Sequence, residues 1–483
     1  MTDQSGQSPK ATGRRASTGR ERRIDLLVAL AILAPAVVAI SVGLIGREDN
    51  PVGGPQAPTT SALTSATVVC PSGLDDAGTV RVTRTPDVPG GKLAVATAPR
   101  VRGNSASVTT RQGKAITVAQ GSSVVVPVSN GPTVVDGRGR AAPGIVAGRE
   151  GRLAVPECRA PSYDEWFVGI GASARHSTVV ELVNPDDGDA VVDLALHGAT
   201  GPVEEPALRG IEVPAHGVKR LDLARVAPRE EATAAHLTVV RGRVTATART
   251  TWDPLGRGRV TTDFLPSDAD PATSSLLLGI PDKPAQATLY VANPGDDEVR
   301  VSLRMVTEQA TFTPTNAPDI TVAAGAMETV DLSKLLRGAV AKGVVGLELE
   351  STGPVASSFL GLVDDDLVLL APAPEVSEPA AVVVPTGAKT LVLGGARKTA
   401  VVHVTSYDAR GRELAKKQVE IGADRAVTLA LPAQATSVTV LSRATPIGAV
   451  VLLPAGGRNA GLATLRVRPA ELEAQIPVVI PAG

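Results

Sequence analysis

The sequence predicts an all-β protein: tandem Ig-like β-sandwich units on a single N-terminal transmembrane helix. Three observations point there. Period-two alternation dominates beyond residue 65, as in Val299-Arg300-Val301-Ser302-Leu303-Arg304-Met305, the mark of half-buried strands. A set of motifs recurs at an offset of about 110 residues, the size of a β-sandwich and too long for a propeller blade. One apolar run, Leu26 to Ile45, precedes all of this with basic residues on one side only.

Residues 1–23 are rich in Ser, Gly, Gln, Thr and Arg, lack periodicity and read as a disordered cytoplasmic tail. Residues 24–46 read as a signal-anchor. About 20 apolar residues at about 1.5 Å each make about 30 Å of helix, enough to cross a hydrocarbon core. The basic flank (Lys10, Arg14, Arg15, Arg20, Arg22, Arg23) orients the N-terminus to the cytoplasm, so the expected product is a single-pass protein of the cell membrane with an extracytoplasmic C-terminal ectodomain. A cleaved signal competes, because Ala34-Pro35-Ala36 and Val37-Val38-Ala39 resemble cleavage sites. Cutting at either would leave Val42, Leu44 and Ile45 near a greasy new terminus, which favours the anchor. Residues 47–65, with Pro51, Gly53, Gly54, Pro55 and Pro58, read as a flexible linker.

The ectodomain is too long for one core. Of the 483 residues 43% are hydrophobic but only 2% aromatic, so Ala and Val carry the burial. With 48 basic against 49 acidic residues there is no field to attract nucleic acid. The two cysteines, Cys70 and Cys158, both lie on the exported side and read as one disulfide. Closing a loop of about 88 residues contributes about 4.5 kcal/mol in the chain-entropy model. Two buried free thiols compete with that pairing; a metal site fits poorly, because neither cysteine has a partner at ligand spacing.

Residues 163–270 and 271–372 form the clearest repeats. Val179-Val180-Glu181-Leu182-Val183-Asn184-Pro185-Asp186-Asp187 aligns with Thr288-Leu289-Tyr290-Val291-Ala292-Asn293-Pro294-Gly295-Asp296, each read as a hairpin. Strand–turn–strand blocks follow at 211–223 and 320–332. Each repeat closes on a strand pair, around Gly242 and around Gly353, and single helical turns are expected at Leu221–Val226 and Leu332–Leu336. Residues 373–483 hold a third repeat, whose turn Tyr407-Asp408-Ala409-Arg410-Gly411 has lost the Asn-Pro. Residues 66–162 read as a divergent β domain without the motif, stapled at its ends by the disulfide.

Cys158-Arg159-Ala160-Pro161-Ser162-Tyr163-Asp164-Glu165-Trp166-Phe167-Val168-Gly169, the Asn184-Pro185 turn after it and Cys70-Pro71 before it occur in one order. That order resembles an actinobacterial family of secreted or membrane-anchored proteins, domain-of-unknown-function family 5719. The resemblance implies a β-sandwich envelope protein and brings no catalytic residues.

No residue pattern names a catalytic, cofactor or metal site. His176, His197, His216, His236 and His403 lack paired-ligand spacing and are expected mostly on solvent-exposed strand faces or turns. Ser173 lacks the second glycine of a nucleophile elbow, since Arg175 stands there. The acidic turns around Asp186–Asp189, Asp296–Glu298 and Asp364–Asp366 suit backbone turns; weak Ca²⁺ binding is the competing reading. Tyr163, Trp166 and Phe167 concentrate scarce aromatics and are candidate interaction residues, either a sugar-stacking platform or a plug between two domains. The expected function is a non-catalytic cell-envelope scaffold or interaction module. Its expected partners are the membrane, through residues 24–46, and an envelope protein or cell-wall polymer. An envelope glycan-acting enzyme and a Ca²⁺-dependent adhesin are the alternatives.

Overall fold

Alternation in the sequence becomes antiparallel sheet. Along Val299–Thr307 the buried Val299, Val301, Leu303 and Met305 alternate with the more exposed Arg300, Ser302 and Arg304. A computed structural model describes residues 59–476, apart from 75–76, 87, 98–110, 113–114, 152, 229–230, 269 and 457–459. The expected signal-anchor of residues 24–46, the expected tail before it and most of the expected linker after it lie outside the described residues. Thr60–Ala474 form one compact unit; the other, Met1–Thr59 with Gln475–Gly483, falls almost wholly outside the described residues.

Within Thr60–Ala474 one strand order is used four times. Copy two shows it most plainly. Its eight strands are Asp164–Ile170, His176–Val183, Ala190–Gly198, a broken fourth (Gly201–Val203 and Ile211–Val213), Val218–Asp222, Thr233–Arg241, Thr245–Trp252 and Thr261–Leu265. The first, sixth, third and fourth pair in that order in one sheet; the fifth, second, seventh and eighth pair in the other. Copy three (Ala272–Leu370) repeats this order, its sixth and seventh strands fused into one 20-residue strand, Val344–Val363, that runs through both sheets. Copy four (Ala380–Arg466) repeats it again. So does copy one (Ser65–Arg149), the stretch without the motif, but among the described residues it has no eighth strand beside its seventh, Ile145–Arg149. In each copy the inward faces of the two sheets share an apolar core.

This topology corrects three expectations. The second and third strands lie in different sheets, so the Asn-Pro turn is an arch between sheets and not a hairpin. The segments around Gly242 and Gly353 are likewise crossings between sheets, not strand pairs. In copy four the second strand is Thr390–Gly394, so the place of Asn-Pro is held by Gly395-Ala396 and not by the turn at Tyr407–Gly411, which follows the third strand. Copy one has Thr85-Pro86 there. The expected helical turns do form, at Leu223–Val226 and Ser333–Arg337; Asp222 caps the first by accepting from Ala224 N, and Asp331, just before the second, accepts from Ser333 N.

The conserved geometry of the two Asn-Pro arches has a local cause. Asn184 is fully buried; its Nδ2 donates to the carbonyls of Gly188 (2.7 Å), Val213 (3.1 Å) and Pro214 (3.2 Å), and its Oδ1 accepts from Asp186 N (2.9 Å). Asn293 repeats the set with Asp297, Val322, Ala323 and Gly295 N. One side chain thereby ties its own arch to the arch between the fourth and fifth strands. Asn184→Ala strands those carbonyls and is expected to lower unfolding free energy by about 2–3 kcal/mol in urea titrations. Asn184→Asp should cost more, because a carboxylate offers only acceptors to three carbonyl oxygens.

The copies pack first strand against the outer face of the next copy's second sheet. Val69 and Val134 of copy one cluster with Val183 and Val218 of copy two. Copy two meets copy three where Ser358 Oγ donates to Val168 O (2.5 Å), and where a Cβ on Gly169 would sit 2.2 Å from the Tyr290 ring. Leu278 of copy three packs on Val392 and Val450 of copy four. Copy four then reaches copy one: Ser123 Oγ donates to Ala409 O (2.9 Å), and a Cβ on Gly148 would sit 2.7 Å from Val383. The cycle of contacts closes.

Candidate functional site

Closure brings the eighth strands together. Asp366, at the start of copy three's eighth strand, accepts from Thr261 Oγ1 in copy two (3.0 Å) and from Leu462 N in copy four (3.2 Å). Burial raises the Asp366 carboxyl. It raises that of Asp263, within copy two's eighth strand, much further, and the neighbouring Asp366 charge adds to the effect. Among the described residues copy one supplies no matching strand. Its chain leaves Arg149 and returns past its own sheet edge, making a single backbone bridge, Gly148 with Glu157. Two clefts lie there. One, of about 350 Å³, is lined by Ile145–Gly148, Val155–Ala160 and Ala381–Val383. The other, of about 910 Å³, is lined by Leu74, Arg149, Glu150, Arg259, Val260 and Asp366 among others. Both fall in the size range of ligand sites.

The segment between the clefts is held from every side. Cys158 is disulfide-bonded to Cys70, as the cysteine count predicts. Arg159 exchanges backbone hydrogen bonds with Val69 (2.8 and 3.0 Å) and pairs through both Nη atoms with Glu165. Glu157 accepts from Arg466 Nε and Nη2 (2.7 Å each), at the end of copy four's eighth strand, and from Arg468 Nη2 (2.7 Å), just beyond it. Burial alone would raise the Glu157 carboxyl; the two guanidiniums outweigh it and hold the group far below the usual carboxylate range.

The sequence profile of a family of unknown function, DUF5719, matches residues 139–432, more than half of the chain. The chain belongs to that family. No curated protein and no solved structure matches it. The DUF5719 match begins at Gly139, just before copy one's seventh strand, and so takes in Ile145–Arg149, the Glu157–Arg159 segment and all of copies two and three. Arg466 and Arg468, which hold Glu157, lie beyond it.

The candidate interaction residues separate. Tyr163 is 59% exposed, whereas Trp166 (3%) and Phe167 (1%) are buried. A sugar-stacking platform of all three is therefore not formed. The Trp166 ring stacks on His236 (centroids 4.4 Å apart, planes at 8°) and lies 5.1 Å from His197, whose Nδ1 is 2.8 Å from Gly325 O of copy three. These aromatics pack the join between copies two and three.

The histidines also depart from expectation: none of the five is well exposed, and His176 is buried. Burial pushes His176 down to about 4. Its folded value lies below the ordinary value of about 6.5, so its contribution to stability is complete above that pH and is lost as pH falls toward 4. The loss amounts to about 3 kcal/mol. Denaturant titrations from pH 7 to 4 should show that much less acid sensitivity in His176→Asn.

Among the described residues no group of three or more His, Cys, Asp or Glu is placed to hold a metal ion. In the arch after Asn184, Asp186 pairs with Arg243 (2.6 and 2.9 Å), Asp187 with His216 (2.7 Å), and Asp189 accepts from Ala215 N (2.9 Å). Turn chemistry and local pairing account for these carboxylates.

Proposed function

We propose that the chain is a membrane-anchored extracytoplasmic protein whose Ig-like sandwich copies form a non-catalytic scaffold or interaction module of the cell envelope. The observation that carries the reading is the disulfide between Cys70 and Cys158 at the join of copies one and two, since structural disulfides persist in oxidising compartments. The paired charges beside it favour a rigid scaffold. Glu157, Arg466 and Arg468 spend their charges on one another across copies, as do Arg159 and Glu165 within one. The partner is an envelope protein or a cell-wall polymer.

Two measurements test this. A reporter fused after Gly483 should be active only outside the cytoplasm; a cytoplasmic signal overturns the topology. Affinity purification of the full chain from detergent-solubilised membranes should retain an envelope component, and its repeated absence after cross-linking overturns the module. A glycan-acting enzyme draws support from Glu150 and Asp366, which line one cleft. That reading requires Glu150→Gln and Asp366→Asn to abolish release of reducing ends from purified cell wall.

A further inference from the structure

In copies two, three and four the seventh strand is flanked by an eighth: Ala248–Trp252 pairs with Thr261–Leu265, Phe359–Val363 with Asp366–Leu370, and Val450–Ala455 with Gly461–Arg466. Copy one's seventh strand, Ile145–Arg149, pairs with Val80–Arg84 on one edge, and among the described residues its other edge carries only the bridge from Gly148 to Glu157. That edge borders the smaller cleft, and the chain directly after it borders the larger.

We propose that the groove left by the missing eighth strand takes an extended polypeptide segment of an envelope partner, which supplies to copy one the strand that the other three copies carry themselves. The inference rests on the interaction-module reading and names its site and its partner class.

Three features select a strand over other occupants. The stretch of that edge outside the Gly148–Glu157 bridge offers backbone donors and acceptors at strand spacing, which an extended peptide matches and a sugar does not. Neither cleft has an aromatic residue in its lining, so sugar rings find no stacking face. The larger cleft is walled by Gly73, Gly78, Gly151, Gly387 and Gly456, which let another backbone come close. Two of the chain's exposed large hydrophobics, Leu74 (41%) and Val260 (54%), stand on its rim. The favoured segment is therefore small and apolar on one face, rich in Leu, Thr and Ala, as the resident strand Gly461–Arg466 is.

The test uses the full chain in lipid nanodiscs and, as probe, a synthetic peptide with the sequence of residues 460–467. The peptide should bind saturably and slow amide exchange in residues 145–154. An analogue N-methylated at alternate amides should not bind. Leu74→Asp, on an exposed rim position, should weaken the peptide by about tenfold or more with the thermal melt unchanged. Val260→Asp serves as a second variant should Leu74→Asp melt early. No slowing at 145–154, equal binding of the N-methylated peptide, or unchanged binding to both rim variants overturns the groove. Loss of the groove would leave capture of an envelope component intact; loss of that capture would leave peptide binding intact, so the two readings fail separately.

Discussion

Glu157→Ala is expected to lower the free energy of unfolding by about 3–5 kcal/mol, because it strands two guanidiniums that its carboxylate now neutralises. The Arg466 side chain is only 4% exposed and that of Arg468 32%, so water can do little to replace the lost charge. The sign of the net contribution has its own check. Replacing all three together, Glu157→Leu with Arg466→Leu and Arg468→Leu, removes the desolvation cost along with the attraction and should recover most of the loss. The pH dependence follows from a carboxyl held below its ordinary value: its contribution is complete above about pH 4.5 and is lost as pH falls through the folded-state value. Urea titrations at pH 7 and pH 3 should show the gap between the parent chain and Glu157→Ala narrowing in acid. A constant gap would mean that Glu157 acts by packing and not by charge.

Strand existence was legible because alternation depends on one residue at a time. Val299, Val301, Leu303 and Met305 face the core whichever strand lies beside them. Pairing was not legible in the same way. Asn184-Pro185 suits a hairpin turn and a crossing between sheets alike, since both need a backbone that reverses and a side chain that satisfies it. Only the position of Val213 and Pro214, some thirty residues on, shows which is built. Copy one escaped for a related reason: its strand order matches the others while Thr85-Pro86 stands where the recognisable Asn-Pro should be. The paired cysteines could be read by counting, but the partners of the residue before Cys158, Glu157, lie 309 and 311 positions away and leave no local trace. Trp166 misleads as a surface candidate because its burial depends on His197 and on copy three, neither adjacent in sequence. His176 follows the same logic, seated under Trp252 (centroids 5.9 Å apart) by tertiary packing.

Cys70→Ala with Cys158→Ala should cost about as much as the loss of Glu157. The bond closes a loop 88 positions long, which corresponds to about 4.5 kcal/mol of denatured-state entropy, within the range of about 2–5 kcal/mol usual for native disulfides. Here the bond fastens the same short segment that Glu157 and Arg159 hold, so the two effects should not add. With the disulfide gone, residues 155–160 keep the ion pairs and the backbone exchange with Val69; with Glu157 gone they keep the disulfide. Each restraint lowers the entropy cost of the other, so removing both should cost less than the sum of the single losses by about 0.5–3 kcal/mol. Equilibrium unfolding of the single-site, paired-cysteine and combined variants measures that coupling directly. Strict additivity would mean that copy one holds copy two without this segment, through Val69, Val134, Val183 and Val218 alone. A double loss short of the sum would identify the segment as the latch that closes the cycle of four copies.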